Sequence, residues 1–522
     1  MNTLLYDASL LQENSANTSE IRWPYTAGAF ERIINGHLAG ILKQAENSES
    51  DFHYSVLLMS VLTMNPLWSY CEKALCVQFE RDQGVHYSGN SPILEFLRGI
   101  GTLPDKVGSI PGQIVSPTPP RHPKVRSAIN TWQMTRLGKF PQALISPDVE
   151  VGTIGALICE YSLRNHSASL YNDSNKALLN IRRSNKAEGN SNVLELVVGQ
   201  LVTLVTNSLQ LDDPLMTQFQ ALVRHQIRPL IGQIIDDVSR VQKTRKIPKS
   251  YWSGSGGKYS SRLISIECLR RGGDVTRFDH AGSMGFLDMG ALIPIVEMSV
   301  SNRYVMATAK HAALTKEAVA GKLSPAVRQV EIVGGYGYSH IGKLDLTGSR
   351  RKTDKPRVMY VSSFSGSKTK NATHFFSELI YQDWSTRLAK QLSKLSIDLV
   401  CKPHPDFLPS GRSHPISEFS SIIDEPFEAV INDADIFIYD CFNSTTFWEA
   451  VCTDKKIVCI DIGFPRPTEA ARPILDRRCT FIKAKFDEAN RLQIDPDELE
   501  DAILGTTIAG TPDELRNILI GT

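Results

Sequence analysis

Polar side chains that could hold an anionic ligand occur at three points in the C-terminal half, each soon after an apolar strand pattern. The three segments are residues 362–370 after RVMYV, 402–406 after IDLVC and 440–446 after IFIY. Open α/β sheets bind ligands beyond the carboxyl ends of their strands. These segments are therefore the first candidates for a binding site.

The second segment, Lys402-Pro403-His404-Pro405, combines a cation with a restrained histidine. Lys402 offers a point charge to a phosphate, and the prolines restrict the backbone so that the His404 imidazole is held at the strand end. From there the imidazole would donate a hydrogen bond to a phosphate oxygen. A capped turn with a surface histidine explains the same residues equally well.

The third segment begins a predicted helix that ends near Val451. Asn443 or Ser444 is a natural N-cap, which leaves backbone N–H groups and the positive end of the helix dipole facing the crevice. Thr445 follows in the same turn, and Glu449 lies where a carboxylate would bind a ribose or sugar hydroxyl. The alternative is that the hydroxyl residues only cap the helix and Glu449 is only solvated.

The first segment is rich in hydroxyl groups and contains a cation. Ser362, Ser363 and Lys368 would contact a phosphate or an acceptor molecule. The segment lacks the GxxxxGK[ST] spacing of a P-loop. A flexible turn is the alternative interpretation.

The elements that would position these residues alternate between strands and helices. After Gly290 the patterns RYVMATA, VEIVGGYG, RVMYV, IDLVC, IFIYD and KIVCID predict strands, and amphipathic stretches separate several of them. This order predicts βαβ units and a parallel, doubly wound sheet. Upstream, residues 274–278 predict one short strand, whereas residues 27–45, 51–79 and 157–241 show the three- and four-residue spacing of helices.

The KPHP strand end, followed later in the chain by the turn D-x-x-N-S-T-T-x-x-E, resembles the donor site of GT-B transferases that assemble bacterial surface carbohydrates. The similar families are the CMP-Kdo-dependent transferases, the CMP-sialic acid transferases and the CDP-glycerol glycerophosphotransferases. The resemblance covers residues 270–465. It implies that His404, Ser444 and Thr445 bind the nucleotide phosphate and that Glu449 holds the ribose.

The same resemblance implies a reactive turn contributed by the N-terminal half. The matching stretch is RFDHAGSMGF at residues 277–286, which departs from the acidic-acidic-Gly form of the family. Asp279 follows a strand and precedes glycines that allow a sugar to approach closely. As a base it would give inversion; as a nucleophile, the role that we favour, it would give retention, as in the similar β-Kdo transferases. His280 would donate or accept a proton, and a purely structural turn is the alternative for both residues.

These implications lead to an α/β, GT-B-like fold of two Rossmann-type lobes with a helix-rich N-terminal half. We predict a helical N-terminal region (residues 1–120), an acceptor-side domain with the catalytic turn (121–300) and a nucleotide-sugar donor-binding domain (301–522). The expected activity is transfer of Kdo or a related acidic sugar from a CMP donor to a surface glycan of the O-antigen, capsule or lipopolysaccharide type. The alternatives are a polyol-phosphate transferase with a CDP donor and a non-catalytic scaffold in a glycan assembly complex.

Composition limits the partners. Lys and Arg number 57 against 56 Asp and Glu, so the formal net charge is +1, and the dense basic surface that nucleic acids require is not expected. Basic clusters at residues 240–249 and 350–355 are interpreted as solvated segments, with contact to an anionic membrane surface or substrate as the alternative. The expected partners are the nucleotide sugar, a glycan acceptor that is free or lipid-linked, and other enzymes of an assembly complex.

Cysteine usage and targeting signals predict the compartment. Nine cysteines without a CxxC pair or zinc-like spacing indicate reduced thiols. No DxD triplet follows a strand, which predicts a reaction without metal or other cofactor. No signal peptide pattern or membrane-spanning apolar stretch is found. We expect a cytoplasmic protein that is either free or peripheral at the inner face of the cytoplasmic membrane.

Overall fold

The computed structural model describes most of the chain. The described residues are 3–5, 21–88, 91–105, 123–280, 282–322, 329–346, 354–362, 377–404, 415–506 and 510–521. Within them the protein is a mixed α/β structure with two six-stranded sheets and many helices. Neighbouring strands within each of these two sheets are parallel.

The first sheet occupies the middle of the chain. Its strands are β1 (Val149–Val151), β2 (Ser169–Tyr171), β3 (Ser250–Ser253), β4 (Asp274–Phe278), β5 (Arg303–Met306) and β6 (Glu331–Gly334). They lie in the order β2-β1-β3-β4-β5-β6, so the direction of winding reverses between β1 and β3. Such a reversal opens a crevice at the carboxyl ends of the two strands.

The second sheet follows from Arg357 onward. Its strands are β7 (Arg357–Val361), β8 (Asp398–Lys402), β9 (Ser421–Ile422), β10 (Ile436–Tyr439), β11 (Lys456–Asp461) and β12 (Thr480–Lys483). The order β9-β8-β7-β10-β11-β12 is the 3-2-1-4-5-6 arrangement of Rossmann folds. Here the reversal lies between β7 and β10, which are followed by Ser362 and Asp440.

Helices connect and surround the strands. In the first half they span Ala27–Glu46, Asp51–Ser60, Met64–Gln83, Pro92–Arg98, Pro123–Met134, Phe140–Ile145, Ala156–Arg164, Ser174–Ser184, Ser191–Thr206, Asp213–Lys243, Tyr259–Arg270, Leu292–Val296 and Ala309–Val319. In the second half they span Glu378–Leu392, Phe427–Val430, Thr445–Ala450, Arg472–Arg478, Pro496–Leu504 and Asp513–Leu519. Short 3-10 turns cover Val61–Thr63, Leu137–Lys139, Met298–Val300, Ile341–Lys343 and Pro415–Glu418.

A buried arginine fastens the N-terminal helices to the first sheet. The Arg262 guanidinium donates hydrogen bonds to the carbonyl oxygens of Leu58 (2.8 Å) and Val296 (2.8 Å). Burial lowers the pKa of Arg262 to about 9, but the carbonyl partners compensate much of the desolvation cost of the charge. This contact joins the helix Asp51–Ser60 to the helix Tyr259–Arg270, which packs against β4.

Three small strand pairs complete the described structure. Thr3–Leu5 pairs with His86–Ser88, and Lys485–Phe486 pairs with Leu492–Gln493. Leu287–Asp288, which follows β4, pairs antiparallel with Arg466–Pro467, which follows β11. The last pair ties the two halves together by backbone hydrogen bonds.

The C-terminal helix Asp513–Leu519 also returns to the first half. It packs against Ala309–Val319, and the Tyr338 N–H donates to the Leu519 carbonyl oxygen at 2.8 Å. These contacts and the pair of Leu287–Asp288 with Arg466–Pro467 join the two halves of the chain. They hold the strand ends of one sheet in position relative to those of the other.

The strand pattern of the second sheet was predicted closely, whereas part of the first sheet was missed. The predicted strands 274–278, RVMYV and KIVCID match β4, β7 and β11 at both ends. β1, β2 and β3 are three or four residues long, too short for a clear period-two pattern. The helix prediction over 157–241 is therefore wrong at β2, which lies within it.

All nine cysteines lie in described residues, and all are free thiols. Seven are buried, including Cys401, Cys452 and Cys459, as expected for small core residues. Burial raises the pKa of Cys401 to about 12. These thiols are therefore packing groups rather than reactive ones.

Candidate active site

A cavity of about 310 Å³ opens at the carboxyl edge of the first sheet, where its winding reverses. Thr153 follows β1, Ser255 follows β3 and Asp279 follows β4, and all three line the cavity. Tyr338 and His340, which follow β6, complete one wall. A pocket at such a crevice, with several polar groups converging on it, is the usual position of a ligand site in an α/β lobe.

Asp279 presents one engaged and one unengaged carboxylate oxygen. Its side chain is 2% exposed, and Oδ2 accepts a hydrogen bond from the Tyr338 hydroxyl and another from the Gly282 N–H at 3.2 Å. Oδ1 is buried and has no hydrogen-bond partner. A buried acceptor left unpaired costs about 1–3 kcal/mol, a cost that a bound ligand would remove.

Two further polar groups near Asp279 are buried and unsatisfied. The Tyr304 hydroxyl and His311 Nδ1 have no hydrogen-bond partner, and the Asp279 carboxylate acts electrostatically on both. His311 Nε2 must be a donor because its partner at 2.7 Å is the Met284 carbonyl oxygen. Burial lowers the pKa of His311, so a neutral imidazole with a bare Nδ1 acceptor is favoured.

His280, the second predicted catalytic residue, lies at the mouth of the cavity. Its side chain is exposed and lines the same space as Asp279. An exposed imidazole there can exchange protons with solvent and with a ligand. The structure therefore brings Asp279 and His280 to one cavity.

The turn after Asp279 touches the second half of the chain. The Ser283 hydroxyl donates to Asn443 Oδ1 at 2.9 Å, and the Phe286 ring stacks on Trp448 with a centroid distance of 4.5 Å. Gly282 has φ of +78°, and a Cβ added there would lie 3.0 Å from the Trp448 ring. Glycine is thus required both for the left-handed backbone and for the close approach.

Glu449 is a buried carboxyl beside this contact. Its side chain is 2% exposed, Oε1 lies 3.8 Å from His340 Nε2, and Oε2 has no hydrogen-bond partner. Burial, with a contribution from the nearby Glu428 carboxylate, raises the pKa of Glu449 to about 8. At neutral pH Glu449 therefore carries a proton and can donate a hydrogen bond. Since His340 also lines the cavity, it links Glu449 to the Asp279 site.

The predicted phosphate-binding lysine lies at the end of β8. Lys402 is buried, its Nζ donates to the Pro403 carbonyl oxygen at 3.3 Å, and burial lowers its pKa. The Ser362 N–H donates to the Lys402 carbonyl oxygen at 3.2 Å, which joins the first and second predicted segments. Glu428 acts electrostatically on both Lys402 and Glu449. His404 is half-buried one residue beyond Pro403.

The hydroxyl residues of the third segment sit at the start of the helix Thr445–Ala450. Ser444 is the N-cap residue but makes no side-chain cap; its hydroxyl lies 2.7 Å from the Thr446 hydroxyl. Thr445 is exposed. The predicted helix end near Val451 is confirmed. Because Ser444 does not cap the helix, the capping interpretation of its hydroxyl is wrong.

Asp440, at the end of β10, has a structural role. Its buried carboxylate accepts hydrogen bonds from the hydroxyls of Tyr360 (2.5 Å) and Tyr381 (3.0 Å) and from the Trp384 indole N–H (3.0 Å). Burial raises the pKa of Asp440, while these donors act in the opposite direction. With its oxygens engaged inside the lobe, Asp440 fixes the strand end rather than binding a ligand.

Two predicted residues, Ser363 and Lys368, lie outside the described residues. Arg303, on the neighbouring strand β5, pairs with Glu331 on the surface. Glu297 is buried and accepts hydrogen bonds from the Gly256 N–H at 2.6 Å and the Ser255 hydroxyl at 3.1 Å. Glu297 therefore shapes the cavity wall instead of facing the ligand.

The sequence interpretation missed the segment that completes the cavity. Tyr338 and His340 belong to the motif GGYGYSH at residues 334–340, which was treated only as the end of a strand. Gly337 has φ of +84° and lies against the Ile520 backbone. A glycine-rich strand end that carries an aromatic hydroxyl and an imidazole was the available signal.

No group of three or more His, Cys, Asp and Glu side chains in the described residues is arranged to hold a metal ion. None of the described helices combines the length and the apolar character needed to cross a bilayer.

No protein-family model matches the chain, and no curated protein matches it significantly.

Proposed function

We propose that this chain is a GT-B glycosyltransferase of bacterial surface polysaccharide assembly that moves Kdo or a related acidic sugar from a CMP donor to a glycan acceptor. The observation that carries the proposal is the buried Asp279 carboxylate, whose Oδ1 is unpaired at the wall of the cavity. The contact from Ser283 to Asn443 supports it, because it brings the reactive turn against the expected donor-binding turn.

In the proposed reaction Asp279 is the nucleophile. Oδ1 attacks the anomeric carbon of the donor, the bond from that carbon to the phosphate oxygen breaks, and CMP leaves with the bonding electrons. The acceptor hydroxyl then attacks the same carbon, the ester to Asp279 breaks, and the hydroxyl proton passes to a base. His280 at the cavity mouth is the candidate base. Two inversions give net retention.

Tyr338 holds the nucleophile. Its hydroxyl donates to Asp279 Oδ2, which fixes the carboxylate plane and leaves Oδ1 as the free oxygen. Burial, followed by the charge of Asp279, raises the pKa of Tyr338 far above its ordinary value. The phenol therefore stays protonated and remains a donor throughout catalysis.

The donor nucleotide would bind on the second lobe. In this proposal Lys402, His404, Ser444 and Thr445 contact the phosphate, and Asn443 orients the turn. Protonated Glu449 donates to a hydroxyl of the ribose or sugar. Ser362, Ser363 and Lys368 are proposed to contact the phosphate or the acceptor, and no metal or other cofactor takes part in the proposed reaction.

A thermal-shift panel of CMP, CDP, UDP and GDP tests the donor class. CMP should raise the melting temperature of the purified chain, and the Lys402→Met variant should lose the shift. Stabilisation by UDP without CMP would reject the proposal. Stabilisation by CDP alone, with transfer of a polyol phosphate, would favour the alternative enzyme, and stabilisation by none would favour a scaffold.

The rate of Kdo transfer from CMP-Kdo to a surface-glycan acceptor tests the role of Asp279. The Asp279→Asn variant keeps the shape of the side chain, and we expect it to lose about a thousandfold or more of the transfer rate while CMP binding persists. Nuclear magnetic resonance of the product gives the anomeric configuration. An inverted product would make Asp279 a base, and full activity of the variant would remove it from the mechanism.

A further inference from the structure

The helix Pro123–Met134 packs with its polar side inward. Its Ser127 hydroxyl donates to the Tyr171 carbonyl oxygen at 2.8 Å, and Thr131 Oγ1 accepts from the Tyr171 N–H at 3.1 Å. Just beyond the helix, the Thr135 hydroxyl donates to the Ser169 carbonyl oxygen at 3.0 Å. These hydroxyls satisfy the edge of β2 and occupy the face where a surface helix normally carries apolar residues.

Met134 and Ala143 are buried, but several large apolar side chains of this region point outward. In the described part of the chain ten large apolar side chains are exposed, and half of them fall between residues 129 and 145. The five, which we call the apolar patch, are Ile129, Trp132, Leu137, Leu144 and Ile145. Leu137 is 78% and Ile145 84% exposed. The helices that carry these side chains are in contact with one another. A concentration of exposed apolar side chains in one region is typical of an interaction surface.

The charge of this region has one sign. Residues 123–147 contain four basic residues and no Asp or Glu, in a chain whose total charge is +1. Arg136 is exposed beside Leu137. The carboxylates at the border are already engaged, since Asp148 accepts from the Gln142 amide at 2.9 Å and Glu160 pairs with Arg164 at 2.8 Å.

The apolar patch adjoins the cavity. The helix Ala156–Arg164 contacts Pro123–Met134, and its Ser162 hydroxyl donates to the Met134 carbonyl oxygen at 2.7 Å. The first residues of the same helix line the cavity. Ile154, which is 38% exposed, lies at the rim between the two.

We propose that residues 127–145 form a docking surface for an anionic lipid bilayer, with the apolar patch in the headgroup–acyl boundary and the Arg136 and Lys139 side chains at the lipid phosphates. Exposed Trp, Leu and Ile beside Lys and Arg are the composition of interfacial membrane contacts. Docking would turn the cavity rim toward the bilayer surface. The proposal does not depend on the transferase activity.

A second copy of the chain fits this surface less well. A two-fold interface would place the apolar patch of one copy against the same patch of the other copy. It would also bring the Arg136 side chains of both copies into one interface, and residues 123–147 contain no acidic residue to pair with them. Like charges brought together in this way oppose association. An anionic bilayer supplies the opposite charge over the whole surface.

Flotation of the full-length protein with lipid vesicles tests the surface. We expect binding to phosphatidylcholine vesicles that contain about 30 mol% phosphatidylglycerol, weakening with salt, and little binding to phosphatidylcholine alone. The double variant Leu137→Ser, Ile145→Ser should bind about tenfold more weakly, and Arg136→Glu at least about fivefold more weakly. Leu196→Ser, which changes an exposed leucine on another helix, is the matched control and should bind as the unchanged protein does.

Trp132 provides a direct readout. It is 54% exposed, whereas the other five tryptophans are at most 9% exposed. Lipids brominated near the headgroup should quench its fluorescence, and Trp132→Phe should lose the quenching but still float. Absence of flotation by the unchanged protein, or undiminished flotation of the double variant, would overturn the proposal. So would a dimer that the double variant dissociates. Nucleotide binding by the double variant, with its circular dichroism melt, shows that the fold and the donor site are intact.

Discussion

Replacing Glu449 with glutamine should change how the stability of the protein depends on pH. Burial raises the pKa of Glu449 from 4.5 to about 8, so between these values the folded protein holds a proton that the unfolded chain has released. The free energy of unfolding then falls by about 1.4 kcal/mol per pH unit because of this one group. The contribution is fully present below about pH 4.5 and is lost as pH rises to about 8, a total of about 5 kcal/mol.

Glu449→Gln keeps the shape of the protonated acid but cannot ionise. We expect the variant to be within about 1 kcal/mol of the unchanged protein at pH 5 and to become more stable than it as pH rises, by about 5 kcal/mol at pH 9. Urea denaturation followed by tryptophan fluorescence at several pH values measures the difference. Because all other titrating groups are common to both proteins, the difference isolates Glu449.

Glu428→Gln is the matched control. The Glu428 carboxylate is the second cause of the raised pKa of Glu449, so this variant should reduce the pH-dependent loss without removing it. A stability difference between Glu449→Gln and the unchanged protein that stays constant from pH 5 to pH 9 would refute the assignment of a protonated Glu449. The proposed donor role predicts that transfer activity also declines as pH rises through about 8.

Three further predictions concern the contacts around the site. Tyr338→Phe removes the donor to Asp279 and should lower kcat about tenfold or more with little change in the melting temperature; an unchanged kcat would exclude a positioning role. Gly282→Ala forces an unfavourable backbone and a clash with Trp448, and it should cost about 1–3 kcal/mol of unfolding free energy in urea titrations. Asp440→Ala removes the acceptor that three buried donors share and should cost about 3–5 kcal/mol, whereas a cost below about 1 kcal/mol would show that the cluster is not structural.

The sequence alone identified β7, β8, β10 and β11 of the second sheet and the position of Asp279, whereas β12 was not predicted. Strands buried on both faces, such as β7, β10 and β11, are continuous apolar runs that stand out against polar turns. Asp279 was placed correctly at a strand end because β4 and the glycines after it are both local signals.

The tertiary structure decided what surrounds those residues. Tyr338 reaches Asp279 from 59 positions away, and the order of strands in the sheet that brings them together is not encoded in the spacing of either segment. The pKa of Glu449 depends on its burial and on the Glu428 carboxylate. Both effects arise only when several elements pack together. Periodicity reports which face of one element is apolar, whereas contacts and burial arise only when elements pack against one another. For the same reason the outward-facing Trp132 was visible only in the folded structure.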